Sequence, residues 1–328
     1  MTDVTQIPHP HDFDPTYGYS FEELLKVPAP ETEPSDFVEF WEALYKKAEA
    51  VPLNLSIEAC DSPYPGYRLL KANYDVYPDY RVGAWVVIPE DSSSAKLGMV
   101  VGHGYGGRDA PGEDRIAPDR ITIFPVAPGF HISADERLPF NDAGLHVIHG
   151  IESKDTYLIG PCCAAYWRAI DVLKEIAPTT IEHFHYAGWS FGGGIGALML
   201  PWEKRFQTAE LGQPTFGHHP IRLKCKCVGS GEAVRRLHHT QPEIEASLAY
   251  FDSVTASKYI KVPTVFVCSR FDPAVAPPGQ FAVANAHPGP KRIAVLTTGH
   301  FAYDYPEYAS EYAAYDRDIA DLLQNRLA

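Results

Sequence analysis

From residue 98 onwards, short apolar runs alternate with longer segments in which apolar residues recur at helical spacing. The apolar runs predict strands at 98–102, 145–148, 183–188, 223–229, 262–269 and 292–297. The other segments predict helices at 160–176, from 191, from 231, and at 243–251, 279–286 and 306–327. Such an alternation is typical of a mainly parallel sheet covered by helices on both faces. Within this region, 108–142 is rich in proline and predicts a long connection. The pattern therefore predicts an α/β fold with a doubly wound sheet.

The first 97 residues follow a different pattern. Residues 1–19 contain three prolines and predict an extended arm, whereas 35–50 has the spacing of an amphipathic helix. Two strand-like runs, 67–76 and 80–88, flank a short turn and predict an antiparallel hairpin. No repeat or linker interrupts the chain. We therefore predict a single domain over residues 1–328, with an N-terminal extension of about 60 residues.

Composition narrows the function classes. The chain has 28 Lys and Arg against 42 Asp and Glu, a net charge of −14, which disfavours nucleic acids and anionic membranes as partners. It has no apolar stretch of the roughly 20 residues that a membrane span needs, and no signal-peptide pattern at the N-terminus. Six cysteines are too few for a disulfide scaffold of this length. We expect a cytoplasmic protein with reduced thiols.

Gly188, Ser190 and Gly192 form a Gly-x-Ser-x-Gly pattern between a strand-like run and a helix of small residues. This order is the nucleophile-elbow pattern, in which the serine stands at the apex of a sharp turn. Glycines flank the turn because larger side chains would crowd it. An ordinary strand-to-helix turn can carry the same pattern, so the residues downstream decide between the two interpretations.

Two further candidates follow predicted strands near the end of the chain. Asp272 comes after 262–269, and His300 comes after 292–297. Loops at the carboxyl ends of parallel strands meet at one edge of the sheet. The order Ser190, Asp272, His300 is that of α/β-hydrolases. We predict a catalytic triad with Ser190 as nucleophile, His300 as base and Asp272 as the group that orients the base.

A tetrahedral oxyanion needs two N–H donors. We predict that the main-chain N–H groups of Phe191 and Tyr105 supply them, since Tyr105 lies in the glycine-rich loop after strand 98–102. The rings of Trp189, Phe191 and Tyr105 are candidates for a narrow acyl pocket, with Trp189 as a substrate-binding residue. The competing interpretation is that Trp189 and Phe191 only pack against the sheet.

The sequence also offers weaker candidates for a dinucleotide-binding site and for a metal site. Gly102, Gly104 and Gly107 match a dinucleotide-binding pattern, but 108–112 does not open the helix that a pyrophosphate requires. A second group of residues suggests a metal: His218, His219, His238, His239, Cys225 and Cys227. The cysteine spacing is not that of a zinc ribbon, and we place both cysteines in strand 223–229. We therefore expect neither a metal nor a cofactor.

Several longer motifs point to one family. They lie at 37–41, 103–107, 150–157 (Gly-Ile-Glu-Ser-Lys-Asp-Thr-Tyr), 188–194, 248–252, 271–278 and 289–300. On these motifs the sequence resembles the acetyl xylan esterases and cephalosporin C deacetylases, an α/β-hydrolase family of carbohydrate esterases. The resemblance implies hydrolysis of small acetyl esters through an acyl-enzyme on Ser190. Acetylated sugars, xylo-oligosaccharides and cephalosporin-like esters are the implied substrates, and a homo-oligomer, often a hexamer, is implied as well.

The chain also departs from that family. Val126–Gly129 stands where the family usually has Arg-Gly-Gln-Gly, Phe191 where it has Gln, and Phe301 where it has Glu; 229–240 is shorter than the usual lid. These departures leave the triad intact and the natural substrate open. The alternatives are a peptidase or a dienelactone-type hydrolase of the same fold, or a scaffold that has lost catalysis and binds a partner.

Overall fold

The computed structural model describes residues 2–112 and 115–324. Their strands form one sheet in the order β1-β2-β3-β5-β4-β6-β7-β8-β9. The bounds are β1 Ser56–Cys60, β2 Tyr67–Tyr77, β3 Tyr80–Pro89, β4 Leu97–Gly102, β5 Arg120–Pro125, β6 His183–Trp189, β7 Phe206–Gly212, β8 Thr264–Phe271 and β9 Lys291–Thr298.

The sheet has an antiparallel part and a parallel part. Strands β1, β2, β3 and β5 pair antiparallel, so the predicted hairpin is confirmed. From β5 through β4, β6, β7 and β8 to β9 every pairing is parallel. The parallel part requires crossover connections, and helices supply most of them. The mainly parallel sheet confirms the predicted α/β-hydrolase fold class.

Helices lie on both faces of the sheet, and each face has its own core. The helices of the described chain are α1 Phe21–Leu24, α2 Phe37–Glu49, α3 Ala143–His146, α4 Ile159–Ile176, α5 Phe191–Met199, α6 His219–Arg222, α7 Gly231–Thr240, α8 Glu245–Leu248, α9 Ser253–Ser257, α10 Pro277–Ala286 and α11 Tyr308–Leu323. In β8, Phe266 joins the large core under α4, α5 and α10. The alternate residue Val267 packs with Leu322 of α11 on the opposite face. The period of two in a strand thus gives each face its own core.

Three sequence predictions about the elements are wrong, and two further strands, β1 and β7, were not predicted. Residues 145–148 belong partly to helix α3, because an apolar run of four residues does not distinguish a helix from a strand. Residues 223–229, with Cys225 and Cys227, form turns and irregular chain instead of a strand. Strand β7 takes that place in the sheet. Strand β5 lies inside the segment predicted as a long connection.

The remaining helices agree closely with prediction. Helix α2 covers most of 35–50, α4 most of 160–176, and α10 begins two residues before 279. The terminal helix was predicted over 306–327, and 325–327 lie outside the described residues. The carboxyl ends of β4, β6, β8 and β9 bring four loops to one edge of the sheet, where the candidate site lies.

Candidate active site

Ser190 stands at the tip of a strained turn between β6 and α5. Its φ of 57° and ψ of −114° lie outside the regions that residues with a side chain normally adopt. The main chain holds this conformation, because Ser190 N donates to Gly212 O at 2.8 Å and Thr215 N donates to Ser190 O at 3.2 Å. A Cβ at Gly192 would lie 2.8 Å from the carbonyl carbon of Gly102, so only glycine fits there. The predicted elbow geometry is present.

The three residues of the predicted triad meet. Ser190 Oγ lies 3.0 Å from His300 Nε2, and His300 Nδ1 donates to Asp272 Oδ2 at 2.8 Å. Asp272 is fully buried, whereas about a quarter of the His300 side chain is exposed. His300 also has a positive φ of 47°, a second strained residue at the site. The three residues form the hydrogen-bonded chain that a nucleophilic serine requires.

Opposing influences set the basicity of His300. Its partial burial disfavours the imidazolium, but the charge of the Asp272 carboxylate and its hydrogen bond to Nδ1 outweigh that effect. The net result is a pKa of His300 raised above its ordinary value. Because Nδ1 keeps its proton and donates it in the hydrogen bond to Asp272, the lone pair of the neutral ring lies on Nε2 and faces Ser190.

Asp272 itself is held by groups that the sequence did not reveal. Its Oδ1 accepts from the main-chain N–H groups of Ala274 and Val275, both at 2.9 Å. Gln280 Nε2, on α10, donates to Oδ2 at 2.9 Å. A Cβ at Gly299 would lie 2.6 Å from the same oxygen, so the strand end beside His300 needs glycine. The carboxylate is thereby fixed in the orientation that His300 needs.

The loop after β4 lies next to the serine. A Cβ added to Gly104 would lie 3.9 Å from Ser190 Cβ. His103 braces this loop: its Nε2 accepts from Ala127 N at 2.9 Å, so its Nδ1 donates to Gly104 O at 2.7 Å. Burial lowers the pKa of His103 to about 3, and the ring stays neutral. This histidine is a positioning residue to which the sequence analysis gave no role, because its partner Ala127 lies 24 residues further along the chain.

The two predicted oxyanion donors are placed close to the elbow. Phe191 is the first residue of α5, and the first N–H groups of a helix have no partner within it. Tyr105 lies in the turn closed by a hydrogen bond from Gly107 N to Gly104 O at 3.0 Å. The positive end of the dipole of α5 also lies at this point and favours negative charge there.

The ring of Phe191 points into the core. It is fully buried, and its centroid lies 4.3 Å from that of Tyr105 and 5.6 Å from that of His103. Phe130 and His146 complete the surrounding cluster. The interpretation in which this ring packs against the interior therefore fits the structure, and the expectation that it lines an acyl pocket does not.

The ring of Trp189 lies in a different environment. Its Nε1 donates to Glu210 Oε1 at 2.6 Å, and its ring packs edge-on against Tyr315. Glu210 is fully buried and also accepts two hydrogen bonds from Arg115, each at 2.9 Å, and one from Tyr315 at 2.6 Å. Trp189 also lines, with His300 and Phe301, an open cavity of about 700 Å³. Its role as a substrate-binding residue stays a prediction.

Other polar candidates lie away from the triad. Asp252 caps α9 and accepts from the N–H groups of His218 and His219. His238 pairs with Glu245 on the neighbouring helical segment. Within residues 2–112 and 115–324, no three His, Cys, Asp or Glu side chains are grouped closely enough to hold a metal ion. All six cysteines are free, and five are buried. The helices of the described chain are too short or too polar to cross a membrane.

A parallel sheet with an elbow serine hydrogen-bonded to a histidine–aspartate pair defines the class of α/β-hydrolases. Within this class the chain belongs to the acetyl xylan esterase (AXE1) family, which it matches over residues 16–315. It is a carboxylic ester hydrolase that acts on acetyl esters, and the resemblance stated from the motifs is confirmed.

Solved structures agree on the fold. An acetyl xylan esterase from Paenibacillus sp. R4 superposes with a TM-score of 0.78 at 18% identity, covering 92% of this chain and 99% of the other. Acetyl xylan esterase 1 from Thermoanaerobacterium sp. JW/SL YS485 gives 0.76 at 16% identity, covering 92% and 98%. A cold-adapted esterase from an Arctic intertidal metagenomic library gives 0.54 at 17% identity, covering 83% and 100%.

Proposed function

We propose that this protein removes acetyl groups from acetylated sugars and xylo-oligosaccharides, using Ser190 as the nucleophile. The observation that carries this proposal is the chain of hydrogen bonds from Ser190 through His300 to Asp272 at the strained elbow. Membership of the acetyl xylan esterase family supports the acetyl specificity. Cephalosporin-like esters share the same acetyl ester group and belong to the proposed substrate range.

The proposed mechanism has two halves. Ser190 Oγ attacks the acetyl carbonyl carbon while its proton passes to His300 Nε2. The N–H groups of Phe191 and Tyr105 stabilise the oxyanion. When the intermediate collapses, the bond to the alcohol oxygen breaks, and His300 gives its proton to that oxygen. Water then attacks the acetyl-enzyme with His300 as base, and acetate and free Ser190 result.

A panel of esters tests this proposal. We expect hydrolysis of 4-nitrophenyl acetate, acetylated xylose and 7-aminocephalosporanic acid, and labelling of Ser190 by a fluorophosphonate probe. Ser190→Ala should lower kcat by roughly 10⁴- to 10⁶-fold, as single triad deletions do, with an unchanged melting temperature. Retention of a tenth of the activity, or hydrolysis of peptides without acetate esters, would refute the assignment. A scaffold without catalysis would leave the probe unbound.

The pH profile tests the role of His300. Only the neutral imidazole accepts the serine proton, so kcat/KM should fall as the pH falls through the pKa of His300. Because Asp272 raises that pKa, the acid limb should lie above the ordinary histidine value. Asp272→Asn should move the limb to lower pH and reduce kcat by about 10⁴-fold. An acid limb that does not move would contradict the assignment of Asp272.

Assembly and location complete the proposal. We propose a homo-oligomer, with a hexamer as the expected size, on the ground of the family resemblance alone. The free state of all six cysteines is compatible with a reducing, cytoplasmic compartment. Sedimentation velocity of the purified protein measures the oligomer, and a monomer at micromolar concentration would refute it.

A further inference from the structure

His300 lines the open cavity of about 700 Å³ that Trp189 and Phe301 also line. In the proposed mechanism His300 gives its proton to the departing alcohol oxygen, so the alcohol part of the ester lies on the side of this ring. The volume is within the range of small-molecule sites and exceeds what an acetyl group needs. The cavity therefore suits the alcohol part of the ester.

Three tyrosines line the same cavity. Tyr303 follows His300 by three residues, and Tyr308 and Tyr312 lie on successive turns of α11. The ring centroids of Tyr308 and Tyr312 are 4.6 Å apart, and Tyr308 is half exposed. Aromatic side chains dominate the lining of many ligand sites, because they offer a large apolar surface to the ligand. The cavity beside the reacting histidine thus has an aromatic surface that a ligand can cover.

The segment that carries these tyrosines is anchored to the sheet. Tyr305 is buried, and its Oη donates to Glu311 Oε2 at 2.8 Å. Glu311 also accepts from the main-chain N–H and the hydroxyl of Thr297, near the end of β9. The ring of Tyr305 lies 6.5 Å from that of Tyr303 and 5.6 Å from that of Tyr308, measured between centroids. The aromatic surface is therefore positioned before a ligand arrives, which reduces the entropy lost on binding.

A carboxylate lies beside the tyrosines. Among the described residues that line the cavity, Asp304 is the one acidic side chain, and none is Lys or Arg. A carboxylate accepts hydrogen bonds from hydroxyl groups, and it disfavours a ligand that carries a second negative charge. A sugar ring matches both features of the cavity, since it has apolar C–H groups on its faces and hydroxyl donors at its edge.

We propose that this cavity is the alcohol subsite: Tyr303 and Tyr308 bind a face of the sugar ring, and Asp304 accepts from its hydroxyl groups. The same carboxylate makes the site favour a neutral sugar over an anionic alcohol such as the cephalosporin nucleus, whose carboxylate adjoins the acetoxymethyl group. This inference rests on the proposed deacetylase function, and it ranks the two substrate classes of that function.

The first test removes the rings. Acetylated xylose and ethyl acetate share the acetyl group, but the alcohol part of ethyl acetate has no ring. For Tyr308→Ala and Tyr303→Ala, the ratio of kcat/KM for acetylated xylose to that for ethyl acetate should fall about tenfold, mainly through KM. Tyr308→Phe is the matched control, because it keeps the ring and should restore the ratio of the wild type.

The second test removes the charge. For Asp304→Asn, the ratio of kcat/KM for 7-aminocephalosporanic acid to that for acetylated xylose should rise about fivefold at low ionic strength. The rise should shrink in about 0.5 M salt, because salt screens exposed charges. Asp316→Asn is the matched control, since Asp316 is exposed on α11 and does not line the cavity. Its ratio should equal that of the wild type.

Ratios within about twofold of wild type in both alanine variants would overturn the proposal. If Tyr308→Ala instead dissociates an oligomer in sedimentation velocity at an unchanged ratio, the exposed ring is a contact between copies of the chain, and the proposal is wrong. An unchanged ratio for Asp304→Asn would refute the role of the carboxylate. A wild-type protein that cleaves ethyl acetate but not acetylated xylose would refute the proposed function itself, so the two failures are distinguishable.

Discussion

The two aromatic neighbours of Ser190 lie in opposite environments. Trp189, before the serine, donates to a buried carboxylate, Glu210, which Arg115 and Tyr315 also contact. Phe191, after the serine, is enclosed by other rings and makes only packing contacts. One side of the elbow is therefore held by directional, charge-assisted hydrogen bonds, and the other by the fit of apolar groups.

The difference shows how the strained turn is kept in place. The cluster of Glu210, Arg115 and Tyr315 joins β6, β7, α11 and the long loop before β5 at one point. Burial and the nearby Glu210 carboxylate raise the pKa of Tyr315, so its hydroxyl stays protonated and donates. The ring of Phe191 is held by the rings packed around it, and its side chain makes no directional hydrogen bond. A strained residue persists only when its surroundings determine its position, and here the two sides do so by different means.

The largest effect is expected on the charged side. Glu210→Ala removes the acceptor of four hydrogen bonds, two of which come from Arg115. Breaking a buried ion pair of this kind should reduce the free energy of unfolding by about 3–5 kcal/mol. Urea unfolding measures the loss, and Glu210→Gln, which keeps the shape and part of the hydrogen bonding, is the matched control. A loss below about 1 kcal/mol would mean that this cluster does not stabilise the elbow.

Trp189→Phe tests the bond from the elbow to that cluster. The ring is retained, but the hydrogen bond from Nε1 to the Glu210 carboxylate is lost. Hydrogen bonds to charged groups contribute about 1.5–3 kcal/mol, and we expect a loss of stability of that size. The same variant decides the open role of Trp189. A raised KM for 4-nitrophenyl acetate at unchanged stability would make Trp189 a substrate contact, whereas lost stability at unchanged KM would make it a positioning residue.

Low pH should reduce the free energy of unfolding through two buried histidines, His103 and His146, whose rings pack against Phe191. Burial lowers the pKa of His103 to about 3 and of His146 to about 4, below the ordinary value of about 6.5 in the unfolded chain. Between those values the unfolded chain binds more protons, so stability falls as the pH falls below about 6.5. At pH 5 each histidine should lower the free energy of unfolding by about 2 kcal/mol.

A variant isolates this contribution. His146 Nε2 donates to Pro128 O at 3.0 Å, a bond that the amide of Gln can replace. His146→Gln should therefore lose less stability than the wild type between pH 7 and pH 5, whereas the exposed His183→Gln should follow the wild type. Equal losses in all three proteins would show that His146 is not a neutral, buried group.

The proposed triad could be predicted from sequence because Ser190 and Asp272 directly follow strands, His300 follows a strand after one intervening glycine, and the order of the three is informative. Strand β7 was missed since Gln207, Thr208 and Glu210 make it look polar. The buried Glu210 is stabilised by hydrogen-bond partners that lie 21 to 105 residues away in the chain, so its neighbours in the sequence do not indicate that it is buried. Residues 223–229 show the reverse error. Their alternation of apolar and lysine residues imitates a strand, but β7 already occupies the place between β6 and β8.

The environments of Trp189 and Phe191 also had no local signal. Both residues are aromatic and both adjoin Ser190. Phe191 belongs to the core on one face of the sheet, whereas Trp189 packs against the core on the other face. The partners of Phe191 come from the loop after β4, from Phe130 in the predicted connection 108–142, and from His146 in the segment predicted as strand 145–148. The local pattern therefore located the residues of the proposed triad, whereas the positions of the groups that hold them depend on long-range packing.

The smallest effect is expected on the apolar side. Phe191→Leu keeps the site apolar and shortens the side chain, and it should lower the free energy of unfolding by about 1–2 kcal/mol. Because the ring is fully buried among other rings, the substitution should leave the preference among acyl chains unchanged. The measurement is kcat/KM for 4-nitrophenyl acetate, butyrate and octanoate in wild type and variant, with the melting temperature alongside. Both proteins should show the same steep decline from acetate to octanoate, since an ester pocket that rejects a longer chain does so by steric clash. If the variant instead gains activity on the octanoate ester, the ring of Phe191 lines the acyl pocket. Phe191 would then contact the substrate in addition to supporting the turn at Ser190.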